Sequence, residues 1–298
     1  MENKNITALV STFARCYHYK NNKYRIFSDN CAEKILSNKE YNEIANSMSK
    51  GIKFFNPNFV GTKENALRWI VDNQLSPSVL GRSAFCEKSL FNAIKLGCKQ
   101  YLIFASGYDT FSYRNNIKDL KVFEIDKNEM IEDKIKRLDN SKLDYSKVNF
   151  IKCDFTKENW INNIKKSIYN KNQISFSSLL GISYYLTKKE FYRLINHISN
   201  IVCKGSSIVF DYPTYEESKE KEINEKLASS ANEKMKSKYS YQEIEDILSK
   251  NGFLIYEHLN HKEMTSTYFE KYNILNPNNK TIAPKGVYYC LAVKKQKI

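Results

Sequence analysis

From about residue 98 onward the chain alternates short apolar runs with helix-like stretches, and this alternation limits its fold more than any other feature. The runs are Gln100–Ala105, Lys121–Ile125, Val148–Cys153, Ser175–Leu180, Ser207–Asp211, Phe253–His258 and Val287–Val293. Between the earlier ones lie Lys127–Leu138, Lys157–Tyr169, Lys188–Val202 and Tyr241–Asn251, with apolar residues at helical spacing. Parallel strands require a long crossover, which a helix supplies. The pattern therefore predicts an α/β fold: a mostly parallel seven-stranded sheet with helices on both faces. The last two runs have no long helical stretch between them and are expected to form an antiparallel hairpin at the sheet edge, giving an antiparallel C-terminal strand.

The preceding segment reads differently. Ile6, Leu9, Val10, Phe13 and Tyr17 fall on one helix face, with Asn5 placed to cap it. A second helix is expected to start at Ser28 or Asp29. Gly51, Pro57, Gly61 and Pro77 are expected to break the rest into short helices. With no linker-like composition and no internal repeat, residues 1–298 are read as one domain: a helical N-terminal cap over 1–95 and a core over 96–298, with insertions near 214–240 and 260–285. Tyr215–Lys238 is rich in alternating charge, which describes either a solvated helix or a mobile segment over a substrate. Asn260–Lys285 carries the same ambiguity.

Charge invites a nucleic-acid reading, since 47 basic side chains face 33 acidic ones for a formal charge of +14. Only seven of the 47 are arginines, at 15, 25, 68, 82, 114, 137 and 193. Base readout and phosphate forks favour arginine, so scattered lysine reads as surface composition and nucleic acid is disfavoured as a partner. No apolar run approaches the roughly 18 residues of a membrane span. The run Ile6–Val10 is interrupted by Ser11, Thr12 and Arg15 too soon for a secretory leader, so a cytoplasmic location is expected. Seven cysteines without a C-x-x-C pair argue against a disulfide framework or a zinc knuckle, and most are expected to be buried as small hydrophobes. His258 and His261 have a spacing that metal ligands use on helices, but here they end a strand, and no metal is expected.

In open α/β sheets the ligand lies beyond the carboxyl ends of the strands, where strand order reverses. Those ends carry Ala105-Ser106-Gly107-Tyr108-Asp109, Glu124-Ile125-Asp126 and Cys153-Asp154-Phe155. Small residues in the first turn let backbone approach a ligand. A carboxylate ending the second strand can accept both ribose hydroxyls, and an Asp followed by a ring can frame an adenine. Neither G-x-G-x-x-G nor G-x-x-x-x-G-K-[ST] occurs, which disfavours a pyrophosphate or triphosphate cradle. An adenosine without phosphates, such as that of S-adenosylmethionine, fits the pattern.

The ordered set Gly81-Arg82-Ser83 with Glu87, Gln100 to Thr110 with Arg114, Val122 to Asp126, Asp154-Phe155, Gly181 to Thr187 and Gly205 to Tyr212 resembles the leucine carboxyl methyltransferase family. The resemblance covers roughly residues 5 to 215 and implies a Rossmann-like class I methyltransferase, S-adenosylmethionine-dependent and acting on oxygen, with S-adenosylhomocysteine as product. It implies that Arg82 meets the methionine carboxylate, that Ala105, Ser106 and Gly107 pass under the methionine portion, that Asp126 takes the ribose, and that Asp154 and Phe155 frame the adenine. Asp109 and Leu180 complete the expected cofactor-binding set. Two positions depart from the family pattern: Ala105 stands where Gly is usual, and Leu180 where Glu is frequent.

Methyl transfer from a sulfonium is an in-line displacement governed by alignment. A carboxylate acceptor is already ionised at pH 7, and none of the four histidines falls at a motif position, which favours a small acidic acceptor. Such an acceptor would need cations. Arg15, Lys20 and Arg114 are the candidates, although each also has a structural role open to it, as a salt bridge or on a solvated helix face. Tyr185, beside Tyr184, is a further substrate-orienting candidate. An RNA-modifying methyltransferase and a catalytically silent cofactor-fold protein remain the alternatives. Oligomeric state is not legible.

Overall fold

The computed structural model describes residues 5–295 apart from 116, 156, 158, 159, 231 and 232. All seven apolar runs form strands: β1 (Gln100–Phe104), β2 (Lys121–Asp126), β3 (Val148–Lys152), β4 (Ser175–Leu179), β5 (Ser207–Pro213), β6 (Phe253–Leu259) and β7 (Val287–Lys294). Their order in one sheet is β3-β2-β1-β4-β5-β7-β6. Strands β1 to β5 pair in parallel, and β7 runs antiparallel to both neighbours. The order reverses between β1 and β4, which places a ligand crevice at their carboxyl ends.

Alternation along the strands divides the core. Leu102 and Phe104 of β1 join Phe123, Ile208 and Phe210 beneath the helices Lys188–Ile201 and Tyr241–Lys250. Tyr101 and Ile103 face the other way, toward Phe85, Cys86 and Leu90 of the helix Ser76–Lys95. A third cluster, with Leu9, Phe13, Tyr17, Ile70 and Val71, holds the N-terminal helices together and reaches Tyr108 and Leu138. The first 95 residues are thus of two kinds: the last helix packs on the sheet, and those before it pack on each other and over the sheet's end. Six of the seven cysteines are buried. No helix among the described residues is long and apolar enough to cross a membrane.

Several local expectations change. Pro77 does not break its helix: Lys63–Ile70, a π turn over Val71–Leu75 and Ser76–Lys95 form one continuous helical run. The π turn resets the hydrogen-bond register just ahead of Pro77, whose missing N–H is tolerated in a first turn. Asn5 sits at the N-cap of Ile6–Asn21 without a side-chain cap bond. Asp29 does cap, accepting from the amides of Cys31 and Ala32 at 3.1 and 3.0 Å, but the helix it starts is only Ala32–Ile35. The long second helix is Asn38–Lys50, begun by a reciprocal Ser37–Glu40 capping box.

Of Lys157–Tyr169, only Ile161–Lys165 is helical, anchored by buried Ile164 next to buried Trp160; residues 158 and 159 of that stretch lie outside the described residues. The last two strands do pair antiparallel at the sheet edge, as expected, but not as a tight hairpin. Strand β7 is interior and nearly buried throughout, whereas β6 is the edge, with Leu254 and Tyr256 exposed. A helical run from His261 to Leu275 connects them, so no tight turn is needed. This run is no solvated insertion, since Met264 and Phe269 are fully buried against the sheet.

Candidate functional site

The three strand ends converge on a cavity of about 630 Å³ at the reversal point. Every expected cofactor residue lines it: Arg82, Ala105, Ser106, Gly107, Asp109, Asp126, Asp154, Phe155 and Leu180. The turn after β1 is sharp because Ala105 and Gly107 both adopt left-handed φ, 50° and 46°. Asp126 holds this turn, its two oxygens accepting from the amides of Gly107 and Lys127, each at 2.8 Å. Burial pushes the Asp126 carboxyl up, opposed by those two amides. Asp109 accepts from the Phe111 amide at 2.8 Å and so starts the short helix Phe111–Arg114. The Phe155 ring is braced edge-on by Trp160 at 5.1 Å.

Two polar groups at this cavity have spare bonding capacity. The Ser106 hydroxyl is buried and has no hydrogen-bond partner among the described residues. The Arg82 side chain is only 19% exposed, yet its polar contacts are long, 3.7 Å to Asp211 and 3.5 Å to the Ser11 hydroxyl. Gly181 makes room for it: a Cβ there would lie 2.7 Å from a guanidinium nitrogen.

Asp211, fully buried on β5, was assigned no role from sequence. It accepts from the Gly181 amide at 2.7 Å and the Tyr184 hydroxyl at 3.0 Å, and faces Arg82. The signal for it was a carboxylate inside an otherwise apolar strand, which demands buried partners.

The substrate-orienting candidates separate. Tyr185 lines the cavity, and burial raises its hydroxyl to about 12, so it carries its proton at neutral pH. Arg15 also lines the cavity but is engaged by Asp29 at 2.8 Å and the Tyr108 carbonyl at 2.7 Å. Arg114 does not line it. Its guanidinium is held between Glu87 and Asp29 over the Phe27 ring, so its role is structural. Burial pushes Glu87 up to about 7 against the pull of Arg114. Lys20 pairs with Glu33 at 2.9 Å, also away from the cavity. His258 bonds the Tyr212 hydroxyl at 2.6 Å while His261 faces Glu216, so the two do not converge. No cluster of three metal-ligating side chains occurs among the described residues.

A second chamber of about 540 Å³ adjoins the first, and Thr7, Ser11, Arg82, Gly181 and Tyr185 line both. The arrangement is one chamber lined by many polar groups, opening past Arg82 into a mainly apolar one.

Comparison with known proteins agrees with this geometry. Residues 8–199 match the model of the leucine carboxyl methyltransferase family. The chain is 36% identical over 302 residues to Bacillus subtilis (strain 168) YktD, whose name describes an S-adenosyl-L-methionine-dependent methyltransferase, covering 97% of this chain and 98% of that protein. Among solved structures, a DUF574-family protein of Streptomyces avermitilis superposes with a TM-score of 0.59 at 10% identity, over 95% of this chain and 97% of that one. A Thermobifida fusca protein designated a methyltransferase superposes at 0.58 with 14% identity, over 97% and 94%. The family match spans well over half of the sequence, the strand ends carry the expected residues, and the sheet has the same fold as these structures. The chain belongs to the leucine carboxyl methyltransferase family and is an S-adenosylmethionine-dependent methyltransferase.

Proposed function

We propose that the enzyme methylates an oxygen of a small organic acceptor that carries a carboxylate. The observation that carries this reading is the junction of the two chambers, bordered by Arg82, Gly181 and Tyr185. In this reading Arg82 holds the methionine carboxylate, Ser106 donates its unpartnered hydroxyl to the cofactor, Asp126 takes the ribose, and Asp154 with Phe155 encloses the adenine. Bound S-adenosylmethionine supplies a methyl group on a sulfonium, whose transfer to a carboxylate oxygen leaves a thioether and a neutral ester and needs no proton acceptor. The lining supports an acceptor of that kind. No histidine lines either chamber among the described residues, and Tyr185 is far too weak an acid to serve as a base at neutral pH. The chain's own task is then alignment and exclusion of water.

Incubation with methyl-labelled S-adenosylmethionine and a cell extract tests the reading. A small product whose label is released as methanol by mild alkali is expected, because esters hydrolyse and ethers do not. Alkali-stable label would indicate a hydroxyl acceptor, and label in ribonuclease-sensitive polymer would point to RNA.

A further inference from the structure

We propose that the second chamber takes the apolar body of the methyl acceptor, so that the substrate is an amphipathic acid and not a small hydrophilic one. The head group in this statement rests on the carboxylate reading above; the apolar body rests on the chamber wall. That wall is built by Ile6 and Val10 from the first helix, Met48 and Phe54 from the segment after it, and Leu75 and Val79 at the π turn. The helix Lys219–Ser230 adds Leu227 and Ala228 to the wall, while its third apolar residue, Ile223, packs into the N-terminal cluster.

Of the long polar side chains that border this space, those of Lys221, Gln74 and Tyr184 are turned to protein partners, while Lys285 is exposed. The Lys221 ammonium donates to the carbonyls of Thr214 and Glu216 at 2.6 and 2.7 Å. The Gln74 amide donates to the Glu220 carbonyl and the Asn224 side chain at 2.8 and 2.9 Å, and the Tyr184 hydroxyl donates to Asp211. An occupant therefore meets mainly carbon, with Arg82 and Tyr185 at the end that opens on the first chamber and the exposed Lys285 also on the lining. A polar body there would lose its hydration without recovering hydrogen bonds, whereas an apolar one gains by leaving water. At about 540 Å³ the space lies within the range of small-molecule sites. Walls contributed by widely separated parts of the chain surround it, which suits a compact ligand.

The test is calorimetric titration of the protein, saturated with S-adenosylhomocysteine, with straight-chain alkanoates of increasing length and with the matching alkanols. The dissociation constant is expected to fall about fourfold per added methylene until the chamber is full. In Phe54→Ser, a change at a half-exposed side chain, binding of the longest alkanoate is expected to weaken about tenfold with S-adenosylhomocysteine affinity and the urea midpoint unchanged. Affinity independent of chain length, or unaffected by Phe54→Ser, overturns the proposal. Alkanols that bind as tightly as alkanoates with the same length dependence would overturn the carboxylate reading and support the apolar chamber, so the two failures are distinct.

Discussion

Ala105 is the residue at which this chain departs from the pattern of its family and is strained by doing so. An L-residue at φ 50° costs on the order of 1 kcal/mol that glycine does not incur. Ala105→Gly should raise stability by about 1 kcal/mol in urea unfolding; a loss of stability would show that the methyl group packs favourably enough to offset the strain. Gly181 is the opposite case. Its φ of 68° and the 2.7 Å approach of Arg82 to a built Cβ mean that Gly181→Ala must displace the guanidinium. Affinity for S-adenosylhomocysteine should fall at least tenfold, and unchanged affinity would separate Arg82 from the cofactor. Asp126→Ala removes a buried acceptor of two amides, so a 10- to 100-fold loss of cofactor affinity is expected, with Asp126→Asn less affected. The strand-end residues were legible because each lies at a fixed step beyond a recognisable apolar run. For Arg114 the sequence left substrate contact and a structural salt bridge open, and the fold brings it to Glu87 and Asp29, because proximity in sequence to the turn after β1 does not say which carboxylates the folded chain places beside it.

Among the elements, the helix Ile6–Asn21 matters most, since it lines both chambers and is latched by a histidine. His18 accepts from the Ile26 amide at 3.0 Å, and its ring packs against Tyr272 of the C-terminal helical run. Burial, with Arg25 and Arg68 nearby, lowers its pKa from 6.5 to about 4. A histidine depressed in this way contributes stability above the unfolded value of 6.5, and that stability is lost as pH falls toward 4. The loss should reach up to about 3 kcal/mol, measured as the urea midpoint at pH 7 and at pH 4.5. In His18→Gln, which keeps an acceptor but does not titrate, the slope over this window should be shallower; an equal slope would place the titrating group elsewhere. The strands were legible because alternation and apolar runs are local signals. The π turn before Pro77 and the interior place of β7 were not. The first is a one-residue change of hydrogen-bond register that apolar spacing does not record, and the second depends on a sheet edge that only pairing defines.

At the scale of the whole molecule, cofactor binding is a folding term. Ligand at a hundred times its dissociation constant adds about 2.7 kcal/mol, so for a chain of this length S-adenosylhomocysteine should raise the melting temperature by roughly 4 °C, and Asp126→Ala should cut the shift at the same concentration. Of the 47 basic side chains, Arg15, Arg82, Lys127, Lys234 and Lys236 line the first chamber, so most of the +14 charge lies elsewhere. Arg15, Arg68, Arg82, Arg114 and Arg137 all face carboxylates within the fold, and among the described lysines only Lys134, Lys221 and Lys294 are buried. The sequence alone determined the α/β class, the seven strands in order, the turn after β1 and the carboxylates beyond it, because these are encoded by spacing over a few residues. Tertiary structure alone decided that Arg82 meets Gly181 and Asp211, that Arg114 is sequestered by Glu87 and Asp29, and that distant segments form a mainly apolar chamber beside the strand-end cavity. Those contacts join residues far apart along the chain, and no local periodicity records which of them the folded sheet will bring together.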